Sequence, residues 1–306
     1  MRPPLFEAVP NFSEGRDRAK IARLADSVRA VPGLRVLGLH SDPDHNRSVL
    51  TFAGEEAAVL EASVALVGAC AREIDLSSQT GEHPRIGSLD VLPFVPLRGA
   101  TLEDAARLAR SAGEWIGSLG FPVYLYEAAA TVPRRRNLAD VRRGGYEGLG
   151  PRMNDPRWQP DYGPPELDPS KGAVAVGARP FLVAFNAYLD TDDVNVAKAV
   201  ARKVRERDGG LPGVKALGLE VGGRAQVSMN LTDLKATPIP TALEAVRSAA
   251  AAHGASVVST ELVGLAPLEA VLQVARHYLV LRELESEHVL EAALWDTQQD
   301  RHGRAC

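Results

Sequence analysis

The chain has 306 residues, 45 % hydrophobic and 24 % charged, the composition of a globular protein rather than a disordered, fibrous or membrane-embedded one. Its 35 Lys and Arg against 39 Asp and Glu leave a net charge of −4, which removes the basic footprint that a nucleic-acid binder needs. No apolar run approaches the roughly 18 residues of a membrane span, residues 1–16 carry no secretory signal, and Cys70 and Cys306 are too few for a disulfide framework or a zinc site. A cytoplasmic protein with no membrane, nucleic-acid or metal partner is expected.

Strand and helix patterns alternate along the chain. A helix over about 16–31 precedes strands at 34–39 and 48–53, and 55–74 has apolar residues at helical spacing with Glu55 and Glu56 at its N-terminal end. In 89–97, Pro93 and Pro96 predict an edge strand or an irregular exit. Thr101 opens a helix over about 102–119 that Gly120 closes before a strand at 121–128. Residues 129–172 are rich in Pro, Gly and Arg and too long for a mere connector, while Tyr146, Trp158 and Tyr162 argue for order, so a binding segment is expected.

The second half begins with a strand over 173–189 bent at 177–180, then a helix over 192–207. A hairpin of 214–223 and 225–233 turns at Gly222 and Gly223, a helix spans 240–253, a strand 258–265, and Pro267 opens a long terminal helix. This β-α-β-β-α-β order is the split unit of ferredoxin-like sheets, and the first half reads similarly with extra elements. The predicted architecture is α+β, a duplication of two subdomains.

The usual phosphate loop, GxSxG elbow and metal quartet are missing, so the informative residues lie in polar loops. In the loop 80–90, His83 sits between glycine and proline turns with Glu82 and Arg85. Imidazole suits proton transfer near neutral pH, and a hydrogen-bonded loop histidine is the plainer alternative. The loop 40–47 gathers His40, Asp42, Asp44, His45, Asn46 and Arg47; mixed metal ligation and a solvated Asx turn are both compatible with it. Ser13 and Glu14 read as a helix N-cap and first turn. The arginines at 134, 135, 136, 142 and 143 read as a solvated face, or as a site that captures carboxylates.

The blocks VPNFSEGR, DPDHNRSVLTF, GEHPRIGSLDVLPFVPL, FPVYLYEAA, RRGGYEGL, WQPDYGP, VGARPFLVAFN, AQVSMNLTD and TELVGLAPLEAVL, in order from about residue 5 to 285, resemble the glutamate formimidoyltransferase (formiminotransferase) family. The resemblance implies two ferredoxin-like (βαββαβ-type) subdomains facing each other across a substrate tunnel, here 1–178 and 179–285, followed by a helical tail at 286–306 too short to supply cyclodeaminase activity. It implies transfer of the formimino group between N-formimino-L-glutamate and N5 of the co-substrate tetrahydrofolate, in histidine degradation. The family's active-site histidine falls on His83. Its folate-contacting segment falls on Gly163, Pro164, Pro165, Glu166, Leu167, Asp168, Pro169, Ser170, Lys171 and Gly172. Asp168 stands where relatives more often carry His or an apolar residue, and Lys171 where some carry Trp or Ala.

The implied reaction, attack of an amine on an amidine carbon, needs a proton removed from one nitrogen and given to another, which His83 can do in both directions. Arg47 and Arg85 are assigned to substrate carboxylates, Asp42 or Glu82 to orienting His83, and Asn46 to the same site. A homodimer is expected. A related transferase using 5-formyltetrahydrofolate, a non-catalytic folate-binding protein, and RNA binding on the sheet are the rival readings; the last lacks the clustered aromatics and basic charge it needs.

Overall fold

The first strand is broken in two. β1 (Leu5–Ala8) and β2 (Asn11–Phe12) occupy one position between β4 (Arg47–Glu55) and β5 (Leu89–Pro96), antiparallel to both and separated by Val9 and Pro10. β3 (Arg35–Asp42) forms a hairpin with β4, and beyond β5 come β7 (Val174–Ala178) and β6 (Val123–Glu127), both parallel to their neighbours. The structure, a computed structural model, describes residues 3–81 and 84–294, and the chain divides into two compact units at Pro180–Phe181.

In the first unit, α1 (Arg18–Arg29), α2 (Glu56–Glu73) and α3 (Leu102–Ser118) cover one face of this sheet. The core between them includes Phe6, Phe12, Phe52 and Phe94, each fully removed from water. At about 1.5–3 kcal/mol per buried large apolar side chain, this packing is what fixes strand register.

The pro-rich strand β5 is not an edge strand, contrary to the expectation from Pro93 and Pro96. It has β1 and β2 on one side and β7 on the other. The Pro93 carbonyl accepts the Val9 N–H at 3.2 Å, in the break between β1 and β2, so the missing Pro93 N–H falls where no ladder strand needs it. Pro96 lies beyond the last residue paired with β7.

Ser13 does not cap α1 either. The cap is Asp17, which accepts the Ala19 and Lys20 N–H groups at 2.9 and 3.0 Å. The Ser13 hydroxyl donates instead to the Gly87 carbonyl at 2.8 Å, and Glu14 accepts the Arg16 and Asp17 N–H groups ahead of the helix.

Residues 129–172 hold two short helices, α4 (Leu138–Val141) and α5 (Leu149–Met153), and pack on the other face of the sheet. Val141, Leu149 and Met153 meet Tyr124, Tyr126, Val91 and Ala175 in a second, smaller core. The arginine cluster is not a single solvated face. Arg135 is buried against Asp161 and Arg142 against Asp90, while Arg143 pairs with Asp140 at the surface.

The second unit contains β8 (Val183–Leu189), α6 (Val194–Val204), β9 (Val214–Val221), β10 (Arg224–Leu231), α7 (Ile239–Ala251) and β11 (Val257–Val263). Its antiparallel sheet has the order β11-β8-β10-β9, and Val200, Val227, Met229 and Val246 fill the core under the helices. Gly222 and Gly223 both have positive φ, 58° and 73°, as a two-residue hairpin with the strand twist requires. The predicted strand over 173–189 is two strands, β7 and β8, one in each sheet. α8 (Leu268–Leu279) is shorter than expected, because Val280 turns left-handed at φ 57° and Arg276 ties the following turn by donating to the Leu284 carbonyl.

The two units share one plan. Counting β1 and β2 as one strand, the first unit runs β-α-β-β-α-β through β5 with the order β3-β4-β1-β5, the same relative order as in the second unit. The additional α3, β6 and β7 extend it past β5.

Candidate functional site

Three loops of the first unit converge at one end of its sheet: 9–16, 42–48 and 75–88. Their approach is close enough to require glycine, since a Cβ on Gly15 would lie 2.1 Å from the Asp42 carbonyl oxygen and one on Gly81 would lie 2.4 Å from that of His45. Asn46, buried and with φ 48°, uses both ends of its amide as a tie. Its Oδ1 accepts the Gly15 N–H and its Nδ2 donates to the Thr80 carbonyl, each at 2.9 Å. Gln79 donates to the Ser13 and Asn46 carbonyls, so all three loops are held by two side-chain amides. Sequence reasoning passed over Gln79, which no local pattern distinguishes from a surface residue.

Glu82 and His83 lie outside the described residues. Arg85, just beyond them, donates to the Gln79 carbonyl at 2.7 Å, pairs with Glu147 at 3.3 Å and stacks 5.6 Å from the Tyr146 ring centre. Its guanidinium is therefore engaged with protein groups. Arg47 donates from Nε and Nη2 to the Asn11 amide oxygen. Burial, and then the nearby Arg142 charge, lower its pKa to about 10. Asp42 is turned onto its own loop, accepting the Asp44 and His45 N–H groups at 2.9 Å and facing His45 Nδ1 at 3.1 Å.

The segment 163–172 is brought to the last of these loops. It starts where Tyr162 lies on Gly113 and Gly117 of α3, and Gly163 (φ 81°) passes so close to Phe121 that a Cβ would be 1.9 Å from its carbonyl oxygen. Leu167 packs on the smaller core. Asp168 forms a tight turn, accepting the Ser170 N–H and hydroxyl and facing Lys171 Nζ at 3.2 Å; the Ser170 hydrogen bond is the main reason its carboxyl lies below the usual range. The Ser170 and Lys171 carbonyls accept the Leu76 and Ser88 N–H groups, Gly172 bridges Gly87, and Tyr146 donates to the Pro169 carbonyl at 2.8 Å. Pro164, Pro165 and Glu166 form the outer part of the same segment. A cleft of about 500 Å³ beside this turn is lined by Asn46, Gln79, Thr80 and Ser170 together with charged residues of both signs from α1 and α2.

On the sheet face opposite α1–α3, the smaller core covers the strands from β5 to β6 and includes no residue of β1 or β4. Glu7 stands on that other half of the face, between Phe6 and Ala8 of the helix-side core. Arg179, Tyr126 and Pro93 belong to the same face. A Cβ on Gly177 would meet the Tyr126 ring at 2.5 Å, so the ring lies flat on bare backbone. The signal in the sequence was a glutamate between two core positions of a strand, which the initial stretch was too short to reveal.

Among the described residues, no group of three or more His, Cys, Asp or Glu could hold a metal, and no helix is long and apolar enough to cross a membrane.

A family model described as "Formiminotransferase domain, N-terminal subdomain" matches residues 5–179, and one described as "Formiminotransferase domain" matches residues 184–294. A glutamate formimidoyltransferase of Thermoplasma acidophilum is 43 % identical over 292 residues, covering 94 % of this chain and 96 % of that one. The glutamate formimidoyltransferase of Streptococcus pyogenes serotype M1 is 39 % identical over 284 residues, covering 92 % and 95 %. The formimidoyltransferase-cyclodeaminase of Mus musculus is 39 % identical over 296 residues, which are 93 % of this chain and 54 % of that protein. With both halves matched, and in this order, the chain belongs to the formiminotransferase family.

Proposed function

We propose that this chain is a glutamate formimidoyltransferase, a folate-dependent transferase that moves the formimino group between N-formimino-L-glutamate and tetrahydrofolate, giving 5-formimidoyltetrahydrofolate and L-glutamate in histidine degradation. The observation that carries this reading is the 43 % identity to a protein of that name over nearly the full length of both chains.

His83 is the general acid and base of the transfer: it takes a proton from the attacking nitrogen and returns one to the departing nitrogen, a contribution of roughly 10²- to 10⁴-fold in rate. The ties made by Asn46, Gln79 and Arg85 hold the ends of the loop that carries it. Arg47 and Arg85 meet substrate carboxylates, and Glu82 or Asp42 orients His83. The segment 163–172 contacts the folate co-substrate, and its support is a turn at Asp168 to Gly172 pinned to both ends of the loop 75–88 and to Tyr146. Holding two large substrates in register supplies more than the proton transfer does, since well-oriented reactants reach effective molarities of about 10⁵ M or more. The working enzyme is a cytoplasmic homodimer with subdomains 1–178 and 179–285 and a tail at 286–306.

The test is incubation of the purified chain with N-formimino-L-glutamate and tetrahydrofolate, with mass spectrometry of the products. Formation of glutamate and 5-formimidoyltetrahydrofolate is expected. Turnover of 5-formyltetrahydrofolate alone would move the assignment to a formyl transferase, and folate binding without turnover of either donor would make the chain a binding protein.

A further inference from the structure

Glu7 is 4 % exposed, on a strand flanked on both sides, and its Oε2 has no hydrogen-bond partner. In register it lies beside Val95 of β5. Arg179, whose N–H donates to the Phe94 carbonyl, stands in the same row on the far side of Val95. The two side chains flank one valine on one face, with backbones two strand spacings or about 10 Å apart. Among the described residues no ion pair joins them, and the Arg179 guanidinium donates to the Pro180 carbonyl at 3.2 Å.

Burial pushes the Glu7 carboxyl above its usual range, against the lowering effect of the Arg179 charge. Burial likewise lowers Arg179. Glu7 is removed from water and Arg179 is half-buried beside it, and because the two are not paired with each other each lacks the contact that would offset its desolvation. A buried carboxylate oxygen without a partner, in one row with a half-buried guanidinium that it does not touch, makes this face a candidate ligand site.

Resting on the formimino-transfer reading, we propose that Glu7 receives the N–H groups of the formimino substrate's amidine, and that Arg179 receives a carboxylate of the same molecule. An amidine is a strong base, planar and cationic at neutral pH, and it presents N–H donors on two nitrogens. A carboxylate is its geometric and electrostatic complement, as it is for a guanidinium. A substrate with an amidinium at one end and carboxylates at the other matches an acid and a guanidinium held apart on one row. Glu7 would also keep the amidine protonated, the form in which its carbon is most open to attack by a nitrogen.

The experiment is titration calorimetry on the full chain with N-formimino-L-glutamate and with N-formyl-L-glutamate, which has oxygen in place of the terminal nitrogen. The wild type is expected to prefer the formimino compound. Glu7→Gln is expected to weaken formimino binding at least tenfold, to change formyl binding less than twofold, and to leave the melting temperature level or higher. The preference of the wild type should fade as pH falls through the raised Glu7 pKa, and the variant should show no such fading. An unchanged preference in Glu7→Gln, an equal loss of both ligands, or a clear fall in melting temperature each overturns the assignment, the last by making the carboxylate a structural element. Transfer to tetrahydrofolate is measured in parallel. Binding with the expected Glu7 dependence but no transfer removes the proposed function and supports the amidine site, whereas transfer with an unchanged preference does the reverse.

Discussion

Asp90 and Arg142 form an ion pair in which the carboxylate side chain is 3 % and the guanidinium 14 % exposed. The other carboxylate oxygen of Asp90 accepts the Ile86 N–H at 2.9 Å. One side chain on a central strand thus fixes both the loop that leads from His83 into β5 and the irregular segment on the opposite face of the sheet from the helices.

Removing Asp90 leaves Arg142 buried without a counter-charge. Breaking a buried pair from one side costs about 3–5 kcal/mol, so Asp90→Ala should lose stability on that scale in urea unfolding. It should also raise KM for both substrates, because the Ile86 N–H loses its acceptor. A loss under about 1 kcal/mol would show that the pair contributes little beyond its own desolvation.

Much of this architecture was legible from periodicity, and the errors have physical causes. The helices over 55–74 and 102–119 were readable because their apolar spacing and end signals agree, as at the Thr101–Asp104 capping box. β1 and β2 were missed because strands of four and two residues, parted by Val9 and Pro10, carry no periodicity of their own. Pro93 misled because a break in a neighbouring strand, invisible in sequence, accommodates a proline in mid-sheet. At the site, Asn46, Arg47 and Arg85 could be named because they crowd into polar loops. Glu7, Gln79 and Arg179 could not, since their meaning depends on contacts between distant segments.

Gly172 and Gly38 should respond in opposite ways to alanine. Gly172 has φ 70°, and a Cβ there would lie 2.3 Å from the Ile86 carbonyl oxygen, against the loop that follows His83. Gly172→Ala should cost at least about 1–3 kcal/mol from the backbone alone and weaken folate binding. Gly38, on β3, has nothing within 4 Å of a Cβ, and Gly38→Ala should stabilise by about 0.4–1 kcal/mol. Thermal melts of the two variants check both signs.

The capping box of α3 should be pH dependent. The Thr101 hydroxyl, and then its N–H, hold the Asp104 carboxyl below its usual range. A lowered folded-state pKa means stabilisation present above the unfolded value of about 3.9 and lost as pH falls through the folded value. Thr101→Ala should therefore destabilise measurably at pH 7 and much less at pH 2. Equal effects at the two pH values in urea titrations would show that the ionised carboxylate is not part of the cap.

His83→Ala separates chemistry from binding. If His83 moves the proton in each direction, its removal should lower kcat at least about a hundredfold, with folate affinity nearly unchanged, because the segment 163–172 is held through the backbone N–H groups of Leu76 and Ser88 and the hydroxyl of Tyr146, which the substitution leaves in place. A small nitrogen base such as imidazole added to the variant should restore part of kcat, which a lost structural contact would not allow. The acidic limb of the wild-type pH–rate profile should vanish in the variant. Steady-state kinetics from pH 5 to 9, with and without imidazole, measure all of these; an unaltered kcat or an unchanged acidic limb would remove His83 from the proton-transfer role.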